Sequence, residues 1–245
     1  MKLLSIIIPI LVFSTSTFSQ TQFNIIDTTI SGSYKEALKN LNIVKDSVFY
    51  EDAEYIVRST CSGEWGGSVW FKNKETGLVH SCAATCPLVV NKVDGKYIVT
   101  ATLAHLIGSC RVIEISNPDS MEIFKNPKPR NKRGKRKFFY VGDHESKSQV
   151  GTNMLADSFG VLIVASFVHD NQLMHIMSSY DHTYVCKVEA NHFVMIDTIC
   201  EGRLPIKRRE ILRTEDGAFV IPFDPKETKG FLEIRGSDIF IRRYE

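Results

Sequence analysis

The chain has 245 residues, of which 30 are lysine or arginine and 28 are aspartate or glutamate, so its formal net charge at pH 7 is +2. A balance this close to zero excludes the strongly basic and strongly acidic classes, in which bulk charge by itself indicates a partner. The length is sufficient for one large all-β domain or two small domains, with a substantial buried core.

The amino terminus has the pattern of a secretory signal peptide. Lys2 precedes an apolar run at residues 3–13, and a polar stretch of serine and threonine follows. This pattern predicts a signal peptide over residues 1–19, cleaved near Ser19, and a secreted or periplasmic product without a membrane span. The alternative is a membrane anchor, which needs roughly 20 apolar residues.

Residues 20–47 are predicted to form an N-terminal segment with one short helix. Ser33 is followed three residues later by Glu36 and then by apolar positions, which is the pattern of a capping box that opens a helix. A helix of two or three turns is stable only when it packs against other elements.

Residues 48–245 are predicted to form a single β-repeat domain, because apolar residues there alternate with polar ones. Asp94 and Gly95 stand between two such runs and predict a two-residue hairpin turn. The predicted strands of the first half are 55–59, 68–72, 78–82, 88–93, 96–103 and 112–116. Those of the second half are 161–168, 172–178, 184–189, 192–198, 209–213, 218–223, 231–234 and 239–242.

The strands recur in a pattern with a fixed interval. The same interval separates three pairs of residues, namely Asp94 and Cys110, Asp170 and Cys186, and Asp216 and Leu232. A recurring unit of four short strands resembles the blade of a β-propeller, and the chain is also similar to uncharacterised secreted β-meander proteins, for which no activity is implied. The resemblance implies an array of four meanders, with a fifth, irregular unit around residues 125–160 left open. The alternatives are a β-sandwich and an open meander.

Six cysteines in an exported chain predict disulfides. The hairpin proposed around residues 74–77 brings Cys82 and Cys86 near Cys61, so we expect Cys61 to pair with one of these two. Cys186 and Cys200 are not opposite each other in their predicted hairpin. His80 with three of these cysteines has the inventory of a zinc site, but the spacing matches no common zinc pattern. We therefore predict no metal and no cofactor.

Residues 125–137, called here the basic segment, contain eight lysines and arginines and no acid. Prolines at 127 and 129 and a glycine at 134 argue against a helix or a central strand, so an exposed mobile loop is predicted. Such a cluster favours salt-sensitive binding of a polyanion, an acidic glycan or an anionic surface. The alternative is a solvated loop that only maintains solubility. The predicted contact residues are Lys128, Arg130, Lys132, Arg133, Lys135, Arg136 and Lys137, joined by Arg208.

Residues 61–67 form an unusual glycine-rich loop around Glu64 and Trp65. Glycines on both sides permit a conformation that presents a carboxylate and an aromatic ring together, as glycan-binding sites require, so both residues are candidate ligand contacts. The alternative, which the sequence favours, is a tight turn whose Trp65 packs into the core. Trp70 alternates with Val69 and Phe71 and is predicted to lie in the core.

The sequence favours an exported, non-enzymatic binding module that uses a cationic, loop-rich face to contact an anionic glycan or cell-envelope polyanion. Nucleic acid is not the expected partner, and no catalytic residue is assigned. Asp143-His144 and Asp181-His182 are predicted to lie at turns. The alternative classes are a structural envelope component and a secreted hydrolase, possessing loop carboxylates for acid and base chemistry. The carboxylates considered for the latter are Glu64, Asp143, Glu145 and Asp181.

Overall fold

A computed structural model describes residues 22–44, 48–132, 136–204, 211–223 and 229–245 of the chain. The predicted signal peptide at 1–19 lies outside these residues. No helix within them is long and apolar enough to cross a membrane.

The described part of the chain is all-β with one α-helix, which confirms the all-β part of the predicted fold class. Helix α1 spans Tyr34–Asn40, and the Ser33 hydroxyl accepts a hydrogen bond from the Glu36 amide at 3.4 Å, as the capping box predicts. The first strands are β1 (Asn24–Ile30), β2 (Ile43–Val44), β3 (Tyr50–Glu51), β4 (Tyr55–Cys61), β5 (Gly67–Asn73), β6 (Val79–Ala83), β7 (Pro87–Val93), β8 (Lys96–Leu103), β9 (Ser109–Ile115), β10 (Glu122–Ile123), β11 (Arg130–Lys132) and β12 (Arg136–Phe138). The remaining strands are β13 (Asn153–Phe159), β14 (Leu162–His169), β15 (Gln172–Ser178), β16 (His182–Glu189), β17 (His192–Glu201), β18 (Leu212–Thr214), β19 (Phe219–Phe223), β20 (Lys229–Arg235) and β21 (Asp238–Tyr244).

The strands form four main sheets, numbered here in chain order. Sheet I has the order β10-β6-β5-β4-β3, and sheet II has the order β13-β9-β8-β7. Sheet III runs β14-β15-β16-β17, and sheet IV runs β1-β21-β20-β19-β18-β2. The described residues between 125 and 160 do not form a fifth sheet of this kind, because β13 completes sheet II and β11 pairs only with β12. Each sheet is open at both edges.

Sheet IV also takes up the N-terminal segment. Strand β1 pairs in parallel with β21, from Asn24 opposite Asp238 to Ile30 opposite Tyr244. Strand β2 pairs antiparallel with β18 at the other edge. The described part of the predicted N-terminal segment therefore contributes one strand to each edge of the last sheet.

Consecutive sheets share apolar cores. Phe71 of sheet I and Val99 of sheet II are both 0% exposed and belong to the first core. The second core lies between sheets II and III, and the third lies between sheets III and IV. Sheet II is therefore covered on both faces, which explains the nearly continuous burial along β8.

Tight turns join the strands within each sheet. Asp94 and Gly95 connect β7 to β8 with φ values of 49° and 76°, and Asp170 and Asn171 connect β14 to β15 with φ values of 47° and 58°. Positive φ at both central residues is the geometry of a two-residue hairpin turn. The Asp-Gly prediction at 94–95 is confirmed.

Candidate functional site

A disulfide joins Cys61 to Cys86 where β4 ends, with a Cα–Cα distance of 4.2 Å. This confirms that Cys61 pairs with one of the two cysteines proposed for it, and it is compatible with an extracellular protein. Cys82 is instead a buried free thiol, and burial raises its pKa to about 12. The disulfide occupies Cys61 and Cys86, two of the four residues considered as zinc ligands. The described residues contain no cluster of three or more His, Cys, Asp or Glu that could hold a metal ion.

Cys186 and Cys200 lie in the same hairpin but are not opposite each other. In the register of β16 and β17, Cys186 lies opposite Met195, and Cys200 lies opposite Thr183. Both cysteines are free. The predicted offset between them is confirmed.

The glycine-rich loop places Glu64 and Trp65 at the surface. Gly63–Trp65 form a short 3₁₀ turn between β4 and β5, and the Trp65 side chain is 57% exposed, so the favoured prediction that it packs into the core is wrong. The reason is that the backbone of this loop, and not the Trp65 ring, packs against the chain at Gly142. The two backbones are so close that a Cβ atom added at Gly142 would lie 2.5 Å from the Trp65 carbonyl oxygen. Glu64 Oε2 lies 3.5 Å from His105 Nδ1.

A buried carboxylate fixes the segment that follows the basic residues. The Glu145 side chain accepts hydrogen bonds from Thr60 Oγ1 at 2.5 Å, from Ser62 Oγ at 2.5 Å and from Ser68 Oγ at 2.7 Å. Glu145 is only 8% exposed. Since all three donors come from β4, β5 and the loop between them, Glu145 pins residues 139–148, called here the docked segment, to sheet I. The Ser146 amide donates to Ser68 Oγ in the same place, at 2.6 Å.

We expect Glu145→Gln to lower the free energy of unfolding by about 2 kcal/mol, because hydrogen bonds to a charged acceptor are worth more than those to a neutral amide and because the hydroxyls that now donate would have to reorient to accept from the new NH2 group. Urea denaturation measures the change. Glu75→Gln is the matched control, since Glu75 is exposed in a turn and its replacement should cost less than about 0.5 kcal/mol. Equal stabilities of the two variants would contradict a structural role for the Glu145 carboxylate.

An exposed aromatic surface adjoins the basic segment. Phe139, Tyr140 and Val141 are 44%, 55% and 66% exposed and follow the basic residues directly. The Phe138 and Tyr140 rings meet edge to face with centroids 5.0 Å apart. The docked segment therefore presents large apolar side chains beside a run of cations, close to the exposed Trp65.

The basic segment contains a short hairpin and is not wholly a loop. Strands β11 and β12 pair antiparallel, with Arg130 opposite Phe138 and Lys132 opposite Arg136. The prolines at 127 and 129 precede β11, so they do not interrupt its pairing, and a two-stranded ribbon has no central strand for them to break. Lys128 lies just before the hairpin and is exposed.

The other predicted contact residues divide into two groups. Lys137 lies on β12 opposite Asn131. Arg133, Lys135 and Arg208 lie outside the described residues. The described part of the basic segment therefore places Arg130, Lys132, Arg136 and Lys137 on one hairpin, while the predicted proximity of Arg208 stays a prediction.

Two of the acids considered for hydrolysis, Asp143 and Glu145, accept hydrogen bonds that fix the backbone. Asp143 Oδ2 accepts from the Tyr140 amide at 2.8 Å, and the His144 ring stacks on Phe139 with centroids 4.5 Å apart. Asp143 and Glu145 line the same cavity of about 320 Å³ together with two lysines. The Asp181 carbonyl accepts from the Gly202 amide at the start of β16. Asp143 lies in a turn and Asp181 in a bend, and each is followed by an exposed histidine, as the sequence predicts. His182 is the first residue of β16.

Trp70 does not lie in the core, in contrast to the prediction. Val69 and Phe71 are both 0% exposed and face sheet II, so the intervening Trp70 points to the opposite face of sheet I, where it is half-buried. Arg58 is its cross-strand neighbour, and Lys72 lies two residues further along β5 on the same face. These two cations are not among the predicted contact residues. The alternation through residues 56, 58 and 60 places Arg58 on this face, and Lys72 lies opposite Ile56.

Comparison with known proteins assigns no relative to this arrangement. No protein family, curated protein or solved structure matches the chain.

Proposed function

We propose that this chain is an exported, non-enzymatic binding module that contacts an anionic glycan or cell-envelope polyanion through its basic segment and the exposed aromatic residues beside it. The observation that carries the proposal is the anchoring of the basic segment. At its start, the Phe124 amide donates to the Val79 carbonyl at 2.8 Å, and beyond its end Glu145 is held by three hydroxyls of the same sheet. The described residues on the two sides of the basic segment are thereby bonded to one sheet.

The neighbouring chemistry supports a ligand and not only solubility. A purely solubilising loop has no need of adjacent exposed rings, whereas Trp65, Phe139 and Tyr140 supply apolar area next to the cations. Large aromatic side chains with a polar rim are enriched at binding surfaces. Cations release counterions from a polyanion and so add affinity that falls with salt.

The same observations favour binding over hydrolysis. Glu145 has its two oxygens engaged by three hydroxyl donors, and Asp143 holds a backbone amide. Carboxylates already used to fix the backbone are poorly suited to exchange protons with a substrate.

A propeller-like arrangement of the four sheets is part of the proposal. Asp94, Asp170 and Asp216 each follow the first strand of a meander, whereas Cys110, Cys186 and Leu232 each lie on the third strand. The addition of the N-terminal β1 to the C-terminal sheet IV also supports it, because ring closure in a propeller joins the two ends of the chain in one blade. Small-angle scattering of the mature protein distinguishes a closed ring from an extended array.

Heparin-affinity chromatography tests the function. We expect retention that weakens steeply with salt, and loss of retention when the seven cations Lys128, Arg130, Lys132, Arg133, Lys135, Arg136 and Lys137 are replaced by alanine. If each cation neutralises one anionic group, the slope of log K against log salt should become shallower by roughly 5. Isothermal titration with heparin at two salt concentrations gives the slope.

A charge-matched pair of variants separates site from bulk charge. We expect the triple variant Lys128→Ala, Lys132→Ala and Lys137→Ala to weaken heparin binding by at least about tenfold. The control replaces Lys35, Lys39 and Lys229, which are exposed elsewhere on the chain, and should retain most of the affinity. Absence of binding by the unmodified protein, or equal losses in the two triple variants, would reject the proposal.

A further inference from the structure

A groove runs along the face of sheet I that points away from sheet II. Cross-strand pairing sets its walls, because Arg58 is opposite Trp70 and Ile56 is opposite Lys72. Phe124 directly follows β10, and its ring meets Trp70 edge to face with centroids 5.6 Å apart. The space between these side chains is a cavity of about 620 Å³. Its floor and walls are mostly apolar and aromatic.

The charges that line this groove have one sign. Arg58 and Lys72 are the only charged residues among the described residues that line it, and both are exposed. Neither forms an ion pair with another described residue, in contrast to Lys92 and Lys96, which pair with Asp52 and Glu114. The groove therefore offers two uncompensated cations to a ligand.

Trp70 contributes apolar surface to the groove that it lines. Its indole Nε1 is buried and has no hydrogen-bond acceptor within the described part of the chain. Since a ligand in the groove cannot reach a buried atom, the indole ring offers an apolar contact surface and not a hydrogen bond.

The chemistry of the groove selects an acidic sugar. A pyranose ring has an apolar C–H surface that packs on an aromatic ring, and polar hydroxyls on its rim. A carboxylate or sulfate on the sugar pairs with arginine and lysine. An unsubstituted polyanion such as polyphosphate satisfies the cations but leaves the aromatic surface uncovered.

We propose that this groove is a subsite for one acidic sugar ring of a glycan, with Trp70 and Phe124 as the stacking surface and Arg58 and Lys72 as the partners of its anionic group. The inference rests on the proposed function, since the basic segment begins at Lys125, directly after Phe124. The basic segment supplies affinity for any polyanion, and the groove supplies preference for a glycan.

Tryptophan fluorescence tests the subsite directly. The chain has two tryptophans, so Trp65→Phe leaves Trp70 as the single emitter. We expect a heparin-derived hexasaccharide to shift the Trp70 emission in a saturable way. Linear polyphosphate of similar charge should bind without that shift. Equal shifts with both ligands, or no shift at a saturating hexasaccharide concentration, would overturn the inference.

Affinity measurements with the native tryptophans complete the test. Trp70→Ala should weaken hexasaccharide binding on the order of tenfold and change polyphosphate binding by less than about twofold to threefold. Arg58→Ala with Lys72→Ala should weaken the binding of both ligands, because both pair their anionic groups with these cations. Trp70→Phe retains an aromatic surface and should restore much of the loss, which separates stacking from misfolding. Lys35→Ala with Lys39→Ala is the charge-matched control.

The outcomes distinguish the two proposals. If the seven-cation variant loses both ligands while the groove variants keep hexasaccharide affinity, the subsite is wrong and the proposed function stands. If the unmodified protein binds neither heparin nor polyphosphate, the proposed function fails and the subsite fails with it.

Discussion

Acidification from pH 7.5 to pH 5 is expected to lower the free energy of unfolding by about 2 kcal/mol through a single side chain, His175. Burial lowers the pKa of His175 from 6.5 to about 3. The unfolded chain therefore binds a proton at His175 over a pH range in which the folded chain does not. The stability due to the neutral imidazole is fully present above pH 6.5, and it is lost as the pH falls from there towards 3.

The surroundings of His175 explain why it stays neutral. The residue is 0% exposed on β15, and its Nδ1 lies 2.6 Å from the Ser166 hydroxyl. The Phe193 ring meets the imidazole edge to face with centroids 6.0 Å apart. Nε2 has no hydrogen-bond partner among the described residues. No carboxylate contacts the ring there, so a proton on it would be a buried charge without compensation.

Urea denaturation at several pH values measures the effect. His175→Gln keeps a hydrogen-bonding group beside Ser166 and removes the titrating imidazole. Between pH 7.5 and pH 5, the free energy of unfolding of this variant should therefore fall by about 2 kcal/mol less than that of the unmodified protein. His105→Gln is the control, because His105 is nearly half exposed beside Glu64 and should leave the profile close to that of the unmodified protein. If His175→Gln shows the same pH dependence as the unmodified protein, His175 is not the responsible group.

Local patterns account for the parts of the fold that sequence predicts well. The four strands of sheet III fall close to their predicted bounds, because clear alternation and positive-φ turn residues such as Asp170 and Asn171 delimit each of them. Strand β1 was missed because its pairing with β21 joins opposite ends of the chain. Strand β13 is not predicted because it contains no β-branched residue and only one of its side chains, Ala156, is buried.

The site is harder to predict than the fold because its contacts are not local. The hydroxyls that hold Glu145 are 85, 83 and 77 residues away in sequence, so no spacing rule reveals them. The burial of Trp65 and Trp70 was predicted wrongly for two different reasons. Trp65 lies in a turn whose backbone packs against the protein, so its side chain points outwards. Trp70 lies between Val69 and Phe71, which point into the core, and successive side chains of a strand point to opposite faces.

Replacing Cys61 and Cys86 by serine is expected to lower the free energy of unfolding by about 3 kcal/mol. The bond joins residues separated by 25 positions, and the chain entropy released by opening such a loop corresponds to about 3.5 kcal/mol at 25 °C. Gly67 adds a structural reason: a Cβ atom there would lie 2.6 Å from the backbone of Thr60, Ala84 and Cys86. The three backbone segments at the disulfide are thus in direct contact, and the bond keeps them so.

The loss should extend to binding, because Ser62 follows Cys61 directly and donates to Glu145. Loosening that contact releases the docked segment, so we expect the double serine variant to bind heparin more weakly than the unmodified protein as well as to unfold at lower urea concentration. Cys200→Ser is the control, since Cys200 is a free, partly buried thiol and its replacement should cost less than about 1 kcal/mol. A double serine variant as stable as Cys200→Ser would show that the disulfide does not organise this end of sheet I. A double serine variant that is destabilised but binds heparin with full affinity would instead show that the basic segment is held in place without it.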